Sequence, residues 1–311
     1  MRRIRSYISA SLLLVMVLCA STALARDIVT KTIPLERNGV QLFLQKMHEA
    51  GKGHREPVLL VHGLTFSSHE FDLDYSDYSL ARALARQGHS VWMLDIAGYA
   101  RSQEVKDGFM PDSDYAAEDI NAAVDAIVKN TGYPTVNILG WSWGTVTGSR
   151  FAAKYPDKVG KLILYAPIVA GLGQHDVTEA FKTEAWKGAD EDFQRTKDNV
   201  IDPAITDPEV VKLFDKNTAL YDNHPVPNGG RRDLLVAADK RLLPSAKLTM
   251  PVLVLVGDAD PYVSVDLAKE AVAAMPANPK LVVFAGGGHA LFMEIPHYKQ
   301  FQKEVSTFLA K

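Results

Sequence analysis

Cysteine is all but missing from this chain. The one copy, Cys19, sits in the N-terminal stretch, so the rest of the protein can carry no disulfide framework, no thiol nucleophile and no cysteine-based zinc site. An excess of one charge is missing too: 34 Lys and Arg face 37 Asp and Glu, a formal net charge of -3. That balance leaves no electrostatic footprint for nucleic acid. Internal repeats and low-complexity tracts are also absent, which sets aside repeat arrays and flexible linkers.

Long apolar runs are equally scarce. Leu12 to Leu18 is short for a membrane-spanning helix. It follows Arg2, Arg3 and Arg5 and precedes Ala23-Leu24-Ala25, which is the layout of a secretory signal cleaved after Ala25. The expectation is a periplasmic or secreted mature chain starting near Arg26, with no stable membrane anchor. Leu18 is bulky where a lipoprotein signal carries a small residue before its cysteine. Without disulfides such a protein depends on its core, which suits one large α/β domain.

What is present is a rhythm of buried strands and helices. Ile28 to Leu35 and Val40 to Met47 predict a hairpin around Asn38-Gly39. Apolar strands are expected at Pro57 to Gly63, Ser90 to Asp95, Val136 to Leu139, Lys161 to Tyr165, Pro251 to Gly257 and Lys280 to Phe284. Helices are expected at Ser79 to Gln87, Ser113 to Asn130, up to about Tyr155 before Pro156, and His297 to Ala310. Strands alternating with helices at this spacing predict one doubly wound, mostly parallel sheet. The rhythm breaks between Ile168 and Met250, where Val177 to Lys187 and Pro208 to Lys216 look helical. Residues 26–167 and 251–311 are therefore expected to form the core, and 168–250 a helical lid.

The strand at Val136 ends in Gly140-Trp141-Ser142-Trp143-Gly144, and a helix can open at once. In that setting the turn strains Ser142, and side chains at 140 and 144 would collide with the neighbouring strand and helix. Ser142 would project its hydroxyl above the sheet, with the Trp143 N–H aimed at a developing oxyanion. A serine hydroxyl is a weak nucleophile and needs a base, oriented in turn by an acid. Gly286-Gly287-Gly288-His289 follows the last strand and puts His289 on the edge where Ser142 lies. Gly257-Asp258-Ala259-Asp260-Pro261 offers two acids; Asp260 is preferred because it lies deeper in the loop, while Asp258 can cap the turn. His69 and His175 fit no zinc-binding spacing.

The order Ser142, Asp260, His289 and the motifs around it resemble the α/β-hydrolase fold superfamily, and within it a serine esterase or lipase-like member with a helical lid. His62-Gly63-Leu64 resembles the family's His-Gly turn, which implies that the Leu64 N–H is the second oxyanion donor. His62 itself can be read as a second base or a metal ligand, but the expectation is that it holds the turn by hydrogen bonds. Asp95 to Ser102 resembles the family's Asp-x-x-Gly-x-Gly-x-Ser loop, with Ala100 in place of a glycine. Members that open epoxides or remove halide carry Asp at the elbow, so the resemblance implies acyl transfer here, with no cofactor and no metal.

The leading expectation is a carboxylic-ester hydrolase acting on a small-molecule ester through an acyl-enzyme on Ser142. The runner-up is a proline-iminopeptidase-like peptidase or amidase, in which Glu179, Glu184, Asp190, Glu191 or Asp192 would bind a substrate amine. A cofactor-free perhydrolase shares the same triad. The non-enzyme alternative is an inactive hydrolase fold used for binding.

Overall fold

A computed structural model describes residues 27–173, 186–187 and 201–311. The expected signal segment and Cys19 lie outside these residues. The chain opens with a hairpin, β1 (Ile28–Arg37) and β2 (Val40–Glu49), in which Arg37 pairs with Val40. Asn38 and Gly39 both take positive φ, 52° and 80°, which matches the twist of the flanking strands.

β3 (Arg55–Val61), α1 (Leu80–Arg86), β4 (His89–Asp95), α2 (Ser113–Thr131), β5 (Val136–Trp141), α3 (Trp143–Lys154) and β6 (Val159–Tyr165) follow in order. β9 (Val252–Gly257), α6 (Val265–Ala273), β10 (Lys280–Phe284) and α7 (Tyr298–Leu309) close the chain. The sheet has eight strands in the order β1-β2-β4-β3-β5-β6-β9-β10. It is parallel from β4 to β10, and β2 runs antiparallel to both β1 and β4. β4, β5 and β9 are buried along their whole length, which explains their unbroken apolar sequences: helices cover both faces of a parallel sheet. The third strand is shorter at its end than its apolar run suggested, because His62 and Gly63 already belong to the turn that follows.

Local chemistry sets the helix ends. Ser79 caps α1 by accepting the Arg82 N–H, and Asp112 caps α2 through the N–H groups of Asp114 and Tyr115. Gly132, with φ 76°, ends α2 in the left-handed conformation. Among the described residues no helix is long and apolar enough to cross a membrane.

Between β6 and β9 the chain leaves the sheet. Here α4 (Pro208–Tyr221) starts behind the Asp207 cap and α5 (Gly229–Leu234) lies further on. The helix expected over Val177 to Lys187 needs correction at its end. Trp186–Lys187 (β7) pairs antiparallel with Val226–Pro227 (β8), so the partner strand, not local periodicity, decides the backbone there. The rest of that expected helix lies outside the described residues, as do His175, Glu179, Glu184, Asp190, Glu191 and Asp192.

Besides the pairing of β2 with β4, a part-buried ion pair ties the hairpin to α2, Arg37 Nε to Asp119 Oδ1 at 2.5 Å. Burial pushes Asp119 up to about 6, against the Arg37 charge and the Ala97 N–H bond. Because the folded value lies above the unfolded one, this carboxyl supports the fold fully below about pH 4 and loses that contribution as pH rises through about 6. Arg37→Met strands the carboxylate, so urea unfolding should show a loss of about 3 kcal/mol at pH 8. The loss should shrink at pH 5, where Asp119 holds its proton; an equal loss at both values would show that packing, not charge, is at stake.

Candidate active site

The topology puts one strand end beside another. β3 and β5 are neighbours, yet the chain leaves them toward opposite sides of the sheet, and a crevice forms above such a switch point. Ser142 stands there between β5 and α3, with φ 54° and ψ -119°. The two flanking glycines stand where no side chain would fit. A Cβ on Gly140 would lie 2.1 Å from the Gly144 carbonyl oxygen, and one on Gly144 would lie 2.3 Å from the Val61 carbonyl oxygen. The Ser142 N–H donates to the Tyr165 carbonyl at 2.9 Å, and its own carbonyl accepts from the Thr145 N–H at 2.9 Å and Thr145 Oγ1 at 2.5 Å. Neighbouring backbone thus over-determines a residue in a sparsely populated conformation.

His289 leaves the end of β10 and Asp260 the end of β9. Asp260 Oδ2 is 2.8 Å from His289 Nδ1, while Asp260 Oδ1 accepts the N–H groups of Tyr262 at 2.8 Å and Val263 at 3.2 Å. Asp258 faces elsewhere, with Oδ1 accepting the Gly286 N–H at 2.6 Å. The His289 carbonyl accepts Trp141 Nε1 at 3.0 Å and the Tyr165 hydroxyl at 2.8 Å. Trp141 directly precedes Ser142, and its ring centroid lies 5.4 Å from that of His289. The serine turn and the histidine loop are therefore bonded to each other through a tryptophan. Both tryptophans flanking Ser142 are buried, and Trp143 Nε1 donates to Ser113 Oγ at 2.9 Å.

The turn after β3 is held from two sides. His62 Nδ1 donates to the Gly63 carbonyl at 2.8 Å, and His62 Nε2 accepts the Ile96 N–H at 3.1 Å. Burial keeps this imidazole below its usual value, in line with a neutral ring that donates on one side and accepts on the other. Asp95 lies beneath, accepting from the Ser68 N–H at 3.0 Å and from Arg101 Nε at 2.9 Å. Burial pushes that carboxyl up, but Arg101 and Ser68 outweigh it and hold it below the ordinary range. In the same loop Ala100 has φ 41°. The chain adopts a left-handed conformation there without glycine.

Several buried polar side chains had no signal in the sequence. Glu70 Oε1 accepts the Gly63 N–H at 3.0 Å, and Glu294 Oε1 accepts the Gly288 N–H at 3.0 Å. Glu294 Oε2 also meets His297 Nδ1 at 2.7 Å. His69 Nε2 and Asp222 Oδ2 pair at 2.5 Å, linking the turn after β3 to the C-terminal end of α4. The other end of α4 is tied to the segment after His289: the Ile295 N–H donates to the Ile205 carbonyl at 2.7 Å and the Asp207 N–H to the Met293 carbonyl at 3.3 Å. α5 packs against Trp143 and Leu64. A Cβ on Gly230 would stand 2.7 Å from the Trp143 ring and 3.1 Å from the Leu64 side chain. Only the folded chain brings such pairs together, so no spacing rule finds them.

A family model described as serine aminopeptidase, S33, matches residues 52–296. The chain belongs to this family. This S33 chain has the α/β-hydrolase fold, shared with an esterase from Exiguobacterium antarcticum at a TM-score of 0.66 and 19% identity, over 89% of this chain and 99% of that one. It is 27% identical over 252 residues to a 2-hydroxy-6-oxononadienedioate/2-hydroxy-6-oxononatrienedioate hydrolase from Burkholderia vietnamiensis, covering 74% of this chain and 79% of the relative. Its likeness to a poly(3-hydroxyalkanoate) polymerase subunit from Haloferax mediterranei is 29% over 175 residues, 54% of this chain and only 34% of the relative. The S33 chain is thus a hydrolase of the α/β-hydrolase family.

The glycine geometry is testable by stability alone. Gly144→Ala should cost about 3 kcal/mol or prevent soluble folding, because the new methyl meets strand backbone. Gly148→Ala, one turn on in α3, places its methyl at an ordinary 3.5 Å from Ile138. It should stabilise by up to about 1 kcal/mol through helix propensity. Equal effects of the two substitutions in a thermal melt would refute the crowding account.

Proposed function

We propose that this hydrolase cleaves carboxylic esters through an acyl-enzyme on Ser142. The observation that carries the reading is the 2.8 Å contact between His289 and Asp260 on a loop bonded through Trp141 to the strained Ser142 turn. Ser142 Oγ attacks the ester carbonyl as His289 Nε2 takes its proton. Asp260 holds the imidazole by its Nδ1–H and balances the charge that forms. The oxyanion is received by the backbone N–H groups of Leu64 and Trp143. Collapse breaks the C–O bond, and the leaving alcohol takes the proton from His289. Water then attacks the acyl-enzyme with His289 as base, which releases the acid and restores Ser142.

Residues 168–250 act in this proposal as a lid that sets the size of the substrate. Its support is the position of Gly230 against Trp143 and Leu64, and the anchoring of both ends of α4 beside the crevice. No cofactor enters the chemistry, and the substrate is a small molecule met in the periplasm or outside the cell. The esterase among the structural relatives is consistent with this choice.

A second reading is the proline-iminopeptidase-like peptidase, which would use the same serine on a prolyl amide; the family's description as a serine aminopeptidase is in line with it. Turnover of p-nitrophenyl esters from acetate to palmitate, beside prolyl p-nitroanilide and a 2-hydroxy-6-oxo dienedioate, separates the readings. The ester series should win, and Ser142→Ala and His289→Ala should each remove most turnover without adding in the double variant. Asp260→Asn should lower kcat by roughly 10⁴-fold, while Asp258→Asn stays within a few-fold. Faster turnover of the amide would establish the aminopeptidase reading, and the reverse ranking of the two aspartates would move the acid to Asp258.

A further inference from the structure

Glu70 lies on the short 3-10 turn Ser68–Phe71 and is fully buried. A buried carboxyl in an apolar core is costly and needs a reason. Its neighbours supply one. Oε1 accepts the Gly63 N–H at 3.0 Å, and Oε2 is buried with no hydrogen-bond partner among the described residues. Asp95 and Asp222, the other carboxyls near it, are committed to Ser68 and Arg101 and to His69. Glu70 therefore serves one bond, and that bond falls on a glycine with a special place in the turn.

The Gly63 carbonyl and the Leu64 N–H belong to one planar peptide, so fixing the first fixes the direction of the second. His62 fixes that carbonyl from one side. On the other side of the same Cα, the Gly63 N–H is held by Glu70. Gly63 has no side chain to resist rotation, and a Cβ there would already press on the Ser142 Cβ at 3.1 Å, so the turn is steadied by its partners. We propose that Glu70 is a positioning residue for catalysis: by holding the Gly63 N–H it fixes the 62–63 peptide and so the Gly63 Cα, from which the next peptide, held by His62 at its carbonyl, presents the Leu64 N–H to the oxyanion. The inference rests on the acyl-enzyme reading above. Burial, with Asp222 and Asp95 adding to it, raises the Glu70 carboxyl well above its ordinary range. The bond itself needs only an oxygen acceptor at the Oε1 position, and glutamine supplies one of the same shape.

The test compares Glu70→Gln, Glu70→Leu and Glu70→Asp in the full chain on the ester turned over fastest, with thermal unfolding of each and Ser142→Ala as the blank. Glu70→Leu should lower kcat by roughly 10²-fold with KM within about twofold, the size of losing one oxyanion donor. Glu70→Gln should stay within about threefold of the parent, and Glu70→Asp, whose carboxyl falls short of Gly63, should lose kcat while melting near the parent temperature. If Glu70→Leu does not fold, the aspartate and glutamine variants decide the matter. A folded leucine or aspartate variant with parental kcat overturns the inference, as does a glutamine variant as slow as leucine. Turnover that survives Ser142→Ala overturns the acyl-enzyme reading itself and the inference with it, whereas Ser142-dependent turnover indifferent to Glu70 removes the inference alone.

Discussion

Everything at the crevice follows from a lack of room between β3, β5 and α3. The Val61 carbonyl stands where a Cβ of residue 144 would be, and the Gly144 carbonyl where a Cβ of residue 140 would be. Two bare backbones can approach this closely and substituted ones cannot. The chain has to reverse from strand to helix within a single residue, and Ser142 takes the whole bend with φ 54°. Strain of this kind persists only where the surroundings fix it from several sides. The Tyr165 carbonyl and Thr145 do so here.

The same crowding organises the rest of the constellation. Parallel strands end together on one edge, so the loops after β3 and β5 emerge side by side, as do those after β9 and β10, with β6 between the two pairs. Buried polar groups secure two of these loops: His62 and Glu70 hold the turn after β3, and Trp141, Tyr165 and Glu294 hold the loop after β10 at His289 and Gly288. Burial raises the carboxyls of both Glu70 and Glu294, and a fold retains such groups where they satisfy backbone that has no other partner. α4 spans the two sides, held at one end by Asp222 on His69 and at the other by the backbone around Ile205 and Asp207. The segment between β6 and β9 is therefore in direct contact with both loops.

Much of this was legible in the sequence because it rests on local rules. Unbroken apolar runs mark strands covered on both faces, Asn38-Gly39 marks the hairpin, and the two glycines around Ser142 mark a turn with no room for side chains. The order of Ser142, Asp260 and His289 could be read because each follows a strand. What escaped depends on long-range pairing. The β7–β8 ladder exists only because Val226–Pro227 lies beside Trp186–Lys187. His69 could be judged only by its lack of zinc-binding spacing, since its partner Asp222 is distant in sequence and meets it through the end of α4. Glu70 and Glu294 look like ordinary surface acids until the turns they hold are seen. Ala100 shows the limit of residue-type rules: a glycine position in the family loop keeps its left-handed backbone with alanine in place, supported by the Asp95 and Arg101 bonds around it.

The most direct measurement is covalent. The folded chain would be treated with a fluorophosphonate, and the modified residue located by peptide mass spectrometry. A single adduct on Ser142, lost in His289→Ala and in heat-unfolded protein, is the outcome that a nucleophile activated by its base in this turn predicts. A folded protein left unmodified at Ser142, or modified equally at other serines, would contradict it.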